Sequence, residues 1–226
     1  MTKAVVLSSG GLDSTTLLYH AKSRYDEILA LSFDYGQRHS VELMRAQLIA
    51  ARLKIDHRIA ELPTWLFLGS ALTSGHEVPE GRYDDPTMAL TIVPNRNAVM
   101  LSMAYAFAES HQADAVCYAA HAGDHPVYPD CRPEFMNAFE NMQQWALGHY
   151  IQLWAPFCNM TKDQIVKLGH QLEVPFELTW SCYKGGASHC GRCGTCTERK
   201  EAFQLAQVAD PTGYEDSAFE FPAYRG

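Results

Sequence analysis

The opening of the chain constrains its fold most. Lys3-Ala4-Val5-Val6-Leu7 is a short apolar run rich in Val that breaks at Ser8-Ser9-Gly10-Gly11, and a helix-like stretch follows from about Leu12 to Arg24. Strand, tight loop and helix form the repeating unit of a parallel sheet, because two parallel strands need a crossover long enough to return along the sheet. The unit recurs. Ile28 to Phe33 is a second continuous apolar run, ended by Asp34, after which Val41, Met44, Leu48 and Ala51 share one helical face with Glu42, Arg45 and Arg52 off it. A third strand is expected at Ile55 to Glu61. Strands that are apolar throughout, rather than alternating, are covered on both faces, so the pattern predicts an α/β fold with a doubly wound parallel sheet.

From Leu62 to Thr91 the chain carries Pro63, Gly69, Gly75, Pro79, Gly81 and Pro86 and no sustained period, the texture of a functional loop or lid. Further elements are expected as a buried helix from Asn97 to His111, a strand at Asp114 to Ala119 and a polar loop from His121 to Arg132. A helix from Pro133 to Leu147, a short strand at Ile151 to Trp154, a helix capped by Thr161 and running through Gly169, and a last helix from Cys196 to Val208 complete the set. The texture shifts to cysteine and glycine after Pro175, which suggests an α/β domain over 1–178 and a small metal-binding element with its helix over 179–226.

A chain of 226 residues can bury roughly 70% of the surface its extended form exposes, enough for one substantial core. With 18 Lys+Arg against 26 Asp+Glu the net charge is −8, which argues against a nucleic-acid partner. Neither a signal-peptide apolar region nor a run of the ~20 apolar residues that a membrane helix needs is present. A cytoplasmic protein is expected. In a reducing compartment the seven cysteines read first as metal ligands or free thiols, not as a disulfide framework.

The loop Ser9-Gly10-Gly11-Leu12-Asp13-Ser14 has the composition of an anion site. Adjacent glycines let the backbone approach closely, the helix behind presents unpaired N–H groups, and Ser9 and Ser14 add hydroxyls. No Lys follows the glycines, so it is not a Walker A loop, and its spacing is not the dinucleotide fingerprint. Asp13 beside phosphates makes sense only with a cation such as Mg²⁺ between them. A plain strand-to-helix turn capped by Asp is the bland alternative.

Cys182, Cys190, Cys193 and Cys196 fall within fifteen residues, with glycines at 185, 186, 191 and 194. Four thiolates at these spacings can converge on a tetrahedral ion, for which Zn²⁺ is the default, and with every position filled by sulfur the metal would be structural. An iron–sulfur cluster, or free or disulfide-bonded cysteines, remain alternatives.

Three further segments lie where strands end: Asp34-Tyr35-Gly36-Gln37-Arg38-His39, Val93-Pro94-Asn95-Arg96-Asn97, and Gly123 to Arg132. In a parallel sheet ligands bind at the carboxyl ends of strands. The serine-glycine loop resembles the signature of the ATP pyrophosphatases. Together with Tyr35 to His39, Arg96-Asn97, Tyr128 to Arg132, Pro156 to Thr161 and Thr179 to Tyr183, it makes nearly the whole chain similar to the 7-cyano-7-deazaguanine synthase (QueC) family. That family usually has Pro-Gly-Arg-Asn where this chain has Pro94-Asn95-Arg96-Asn97; Asn tolerates positive φ, so the turn is expected to survive.

The resemblance implies an adenine nucleotide alpha hydrolase-like fold and a C–N ligase that turns 7-carboxy-7-deazaguanine and ammonia into the nitrile, adenylating first a carboxylate and then an amide oxygen. Ser8, Ser9, Gly10, Gly11, Leu12, Asp13, Ser14, Thr15 and Thr16 would hold the ATP phosphates, with Asp13 facing Mg²⁺. Asp13, Arg38 and Arg96 would serve catalysis, and Arg96, Asn97, Asp124, Tyr128, Asp130 and Arg132 the substrate. A structural zinc, a homodimer, and neither nucleic acid nor membrane as partner complete the implication. Two rivals keep the same loop. A tRNA-modifying ATP pyrophosphatase would call for a basic RNA-binding extension that a chain of net charge −8 lacks, and an adenine-nucleotide sensor would not turn over ATP.

Overall fold

The computed structural model describes residues 1–218. Five short strands, β1 (Lys3–Leu7), β2 (Glu27–Asp34), β3 (Asp56–Glu61), β4 (Ala115–Cys117) and β5 (Gln152–Trp154), form one sheet in the order β3-β2-β1-β4-β5, and every pairing is parallel. Val5 in the central strand sits between Leu29 and Val116. Side chains alternate across the sheet. Ala4 and Val6 enter a core shared with Leu17 and Leu18 of α1 (Leu12–Lys22), Ile165 of α5 (Lys162–Gln171) and Phe203 of α6 (Gly194–Ala206). Val5 enters a second core with Leu101 and Tyr105 of α3 (Arg96–Ser110) and Phe139 of α4 (Pro133–Leu147). Helices therefore cover both faces, as continuously apolar strands require.

The chain lays β1, β2 and β3 outward in one direction, then crosses back to place β4 on the other side of β1. This reversal splays the loops after β1 and β4 apart and opens a crevice at their carboxyl ends. The segment 62–91 holds two 3-10 turns, Thr64–Phe67 and Pro86–Thr91, and buries Phe67, Leu72, Val78 and Met88, so it is packed into the body of the protein.

Three expectations need correction. On α2 (Val41–Leu53) the buried residues are Ala46, Ile49 and Ala50, whereas Met44 and Leu48 are 51% and 47% exposed. The helix carries two apolar stripes, and the one with two alanines allows the closer approach to the sheet. Strand β3 is not apolar throughout; it is an edge strand, mostly exposed. Helix α3 buries one face only, through Asn97, Met100, Leu101, Ala104, Tyr105 and Ala108. Among the described residues no helix is long and apolar enough to cross a membrane.

Candidate active site

The serine-glycine loop leaves β1 at the switch point. Gly10 has φ +82, and a Cβ there would lie 2.3 Å from the Glu42 carbonyl oxygen and 2.7 Å from the Ala46 nitrogen, so only glycine lets the loop rest on the first turns of α2. Its carbonyl accepts from the Trp180 N–H at 2.9 Å, tying the loop to the cysteine-bearing segment. Ser14 Oγ accepts from the Ser9 N–H at 3.1 Å and lies 3.0 Å from Ser9 Oγ, which closes the loop on itself. Ser8 Oγ, Asp13 Oδ1 and Thr15 Oγ1 are buried without a hydrogen-bond partner. Orphaned polar atoms are costly unless something binds them. An acceptor on Asp13 beside hydroxyls at a helix N-terminus suits a cation with phosphate oxygens.

The loop forms one wall of a cavity of about 240 Å³ at the carboxyl edge of the sheet. Of the residues singled out from sequence, Ser8, Ser9, Gly11, Leu12, Asp13, Ser14, Arg96, Asn97, Asp124 and Tyr128 line it. Gly10, Thr15 and Thr16 lie behind the wall; Thr16 Oγ1 donates to the Leu12 carbonyl at 2.9 Å inside α1. Three others are not brought to it. Arg38 donates from Nη1 to the His76 carbonyl at 2.9 Å, and Arg132 from Nε to the His125 carbonyl at 2.9 Å, both outward. Asp130 Oδ2 accepts from the Asn97 N–H at 3.3 Å and so serves the N-terminus of α3.

One end of the cavity holds a charge cluster that the sequence did not reveal. Lys162 Nζ lies 2.5 Å from Asp13 Oδ2, 3.3 Å from Glu198 Oε2 and 3.3 Å from His121 Nε2. Burial alone would discharge this lysine, but Asp13 and Glu198 more than reverse that and raise its pKa. Burial likewise opposes the charge of Asp13, yet Lys162 and then His121 win and hold its carboxyl below the ordinary value. Glu198 goes the other way, burial outweighing Lys162. Asp124 is tied down beside them, Oδ1 accepting from the Tyr83 hydroxyl at 2.9 Å and Oδ2 from the His121 N–H at 3.3 Å.

The other end is aromatic. Arg96, the second residue of the Asn95 turn, donates from Nη1 to the Tyr35 hydroxyl at 3.2 Å and from Nε to Asn97 Oδ1 at 3.3 Å, with its guanidinium 5.7 Å from the Tyr35 ring centroid. Tyr118, Tyr128 and Tyr183 line the same end, and burial pushes the Tyr118 and Tyr183 phenols well up, so they stay protonated donors. Glu42 and His39 complete it. His39 Nε2 is 3.4 Å from Glu42 Oε2, and the imidazole packs on Tyr183 with centroids 5.3 Å apart. Burial, assisted by Arg96, pushes His39 down to about 3, so its ring is neutral. Burial pushes Glu42 up to about 8 against the pull of Arg96.

The four cysteines converge as their spacing suggested. All four Sγ atoms lie within 4.8 Å of one another, and the Cys190–Cys196 and Cys182–Cys193 pairs are each 4.0 Å apart. A tetrahedron with metal–sulfur bonds of about 2.3 Å has edges near 3.8 Å, so these buried sulfurs can hold a metal ion. Sγ of Cys190 accepts from the N–H groups of Arg192 at 3.4 Å and Cys193 at 3.3 Å, which suits a thiolate. His189 is no ligand; its Nε2 accepts from the Ser181 N–H at 3.0 Å and its ring packs on Trp180. Helix α6 starts at the cluster, and Glu198 sits two residues past Cys196, so the cysteines deliver that carboxylate to the cavity.

A family model described as queuosine biosynthesis protein QueC matches residues 3–207. Over 220 residues the chain is 52% identical to 7-cyano-7-deazaguanine synthase 1 of Mesorhizobium japonicum, covering 96% of this chain and 95% of that one. It is 51% identical over 221 residues to 7-cyano-7-deazaguanine synthase of Brucella ovis, with coverage of 96% and 95%. Among solved structures, NMN synthetase from Francisella tularensis matches with a TM-score of 0.50 at 16% identity, over 92% of this chain and 78% of that one, a likeness of fold alone. Because the family match runs from β1 through the glycine loop and the four cysteines to the end of α6, this chain belongs to the queuosine biosynthesis protein QueC family.

Proposed function

We propose that this chain is an ATP-dependent C–N ligase that converts 7-carboxy-7-deazaguanine and ammonia into 7-cyano-7-deazaguanine, releasing AMP and pyrophosphate. The observation that carries the reading is the cavity itself: a phosphate-type loop with orphaned Ser8 Oγ and Asp13 Oδ1 at one end, and a half-buried arginine among tyrosines at the other. A carboxylate resists attack by an amine because oxide is a very poor leaving group. Esterifying that oxygen with AMP supplies a good one, and doing the same to the amide oxygen dehydrates the amide to the nitrile. The loop holds the triphosphate with backbone N–H groups and hydroxyls, and Asp13 would hold a Mg²⁺ ion that neutralises phosphate charge when bound. Arg96 would anchor the substrate carboxylate with its remaining donors, Asn97 and Tyr128 would line the ring, and Asp124 would accept hydrogen bonds from it.

Zn²⁺ is the metal that the four buried cysteines fit best, held structurally by Cys182, Cys190, Cys193 and Cys196. On this reading residues 1–178 are the ATP pyrophosphatase-like unit and 179–226 the zinc element, of which 219–226 lie outside the described residues. A homodimer in the cytoplasm, where thiols stay reduced, completes the proposal. The test is incubation with ATP, Mg²⁺, ammonia and 7-carboxy-7-deazaguanine. The nitrile, AMP and pyrophosphate should appear only when all components are present, and Asp13→Ala should abolish them while retaining its zinc. ATP turnover with other carboxylates but not this one would overturn the substrate.

A further inference from the structure

Joining ammonia to an activated carboxylate releases a proton. The nitrogen lone pair forms the C–N bond, the C–O bond to AMP breaks with its electron pair leaving on the phosphate oxygen, and one N–H proton must go to an acceptor. Two more N–H protons leave when the amide oxygen is adenylated and the nitrile forms. The cavity therefore needs a base.

Four acidic side chains line the cavity, and three are committed. Asp13 lies against Lys162, Glu198 against Lys162 and His121, and Asp124 holds the Tyr83 hydroxyl and the His121 N–H. Glu42 is the fourth. Among the described residues its close polar partner is His39 at 3.4 Å, and His39 Nδ1 is buried with no partner at all. The groups that face the pair are Arg96 from α3, Tyr35 from the loop after β2 and Tyr183 from the cysteine-bearing segment. Arg96 directs two of its donors to Tyr35 and Asn97 and makes no ion pair with Glu42, so Glu42 is near a cation without being bonded to it.

We propose that Glu42, oriented by His39, is the proton acceptor of the amide-forming and nitrile-forming steps; this rests on the reaction given above. The carboxylate takes the proton from nitrogen, and the neutral imidazole holds the receiving oxygen toward the cavity. A carboxyl pushed up to about 8 matches this task, because a base works best with a pKa near the working pH. It must be ionised to act, so turnover should rise with pH and level off above about 8.

The decisive experiment separates the half-reactions. Adenylation of the substrate carboxylate releases no N–H proton, so Glu42→Gln should retain substrate-dependent exchange of pyrophosphate into ATP. Its rate of amide and nitrile formation should fall about 100-fold or more, with the KM for 7-carboxy-7-deazaguanine little changed and the rise of kcat with pH lost. Zinc content and unfolding temperature establish that the variant is folded. If it does not fold, Glu42→Asp decides by the same readouts: slower turnover that keeps the pH rise supports the proposal, and a flat profile overturns it. A raised KM with unchanged kcat in Glu42→Gln would instead make Glu42 a reader of the purine edge and overturn the proposal. Wild type that fails to make the nitrile from this substrate would sink the parent reading, and an exchange-competent wild type with full amide formation in Glu42→Gln would sink this one alone.

Discussion

At one end of the cavity Asp13 lies 2.5 Å from Lys162 and its carboxyl is held ionised; at the other Glu42, with Arg96 nearby but bonded elsewhere, is pushed up to about 8. Both carboxyls are largely but not fully buried. The closeness of the cation decides the difference, because burial raises a carboxyl's pKa unless an opposite charge outweighs it; at 2.5 Å Lys162 does so for Asp13, whereas at 3.3 Å it does not for Glu198. Asp13 and Lys162 keep fixed charges, which on the proposed reading would hold phosphates and their cation, whereas the Glu42 end keeps a carboxyl that can change its charge near neutral pH. The four-cysteine cluster is tied to the first end, since α6 carries both Cys196 and Glu198.

The largest expected effect tests that attachment. Cys193→Ser leaves three thiolates and a poor fourth ligand, so zinc should be lost and the start of α6 released. We expect the unfolding temperature to drop by about 10 °C, the shift that a loss of about 4 kcal/mol gives in a chain of this length. With Glu198 displaced, ATP-dependent turnover should fall too. A metal-free variant with unchanged melting and full activity would detach the cysteines from the cavity.

Next in size is Lys162→Met, which leaves the half-buried Asp13 and Glu198 without their cation. Removing one partner of such a network costs about 3 kcal/mol, and urea unfolding should register it. Turnover should fall at least about 100-fold as the Asp13 carboxyl reorients. The contrast between the two ends breaks if Lys162→Met proves as stable as wild type near neutral pH.

Legibility from sequence followed the same divide. The sheet could be read because apolar runs and amphipathic helices report local burial, and the glycine loop and cysteines because their chemistry is compressed into six and fifteen residues. Lys162, His121, Glu198 and the neighbouring pair His39 and Glu42 come from four separate segments, and each is an ordinary polar residue until packing brings it to one crevice. A partial signal existed for two of them. Lys162 follows the Thr161 cap, at a helix start where a cation is unfavourable against the helix dipole, and Glu198 sits two positions past the last cysteine. Glu42 was hidden by a choice between faces: reading Met44 and Leu48 as buried turned it toward solvent, whereas burying Ala46 and Ala50 turns it to the cavity. Arg38 and Arg132 lie outside the cavity lining, which the sequence could not show because an arginine in a polar loop looks the same whether it faces a cavity or, as here, donates to a neighbouring carbonyl.

A smaller effect sharpens the contrast by pH. Glu42 binds its proton up to about 8 in the folded chain and only to its ordinary value near 4.5 when unfolded. Below both values the states bind the proton equally. As pH rises between them the unfolded chain releases it first, so this group's contribution to stability declines and is fully unfavourable above about 8. Gln has no such proton. Glu42→Gln should therefore unfold like wild type at about pH 4 and be more stable by about 2 kcal/mol at about pH 9, discounting the ideal 1.4 kcal/mol per pKa unit for the side chain's access to the cavity. For Asp13 the sign is opposite: its stabilisation is present above the ordinary carboxylate pKa and disappears as acid carries the pH through the lowered one. Parallel pH–stability curves for Glu42→Gln and wild type would erase the difference between the two ends.

The smallest effect concerns the turn that presents Arg96. Asn95 has φ +59 and ψ 13 as the residue before α3, in the left-handed region, and its side chain makes no capping bond there. It does not line the cavity, although Arg96 and Asn97 beside it do. Its role at this position is therefore one of backbone conformation, which Asn accepts at modest cost and glycine at none. Asn95→Gly should change stability by no more than about 0.5 kcal/mol, since relief at positive φ is offset by the greater freedom of glycine in the unfolded chain. Asn95→Ala, which keeps neither advantage, should lose about 1 kcal/mol. Because Arg96 is also fixed by Tyr35 and Asn97, kcat and KM should be unchanged in the glycine variant. A KM for the carboxylate substrate that rises several-fold in Asn95→Gly would mean that the turn, and not the tyrosine cage, sets the position of Arg96, and the aromatic end would then be the less rigid of the two.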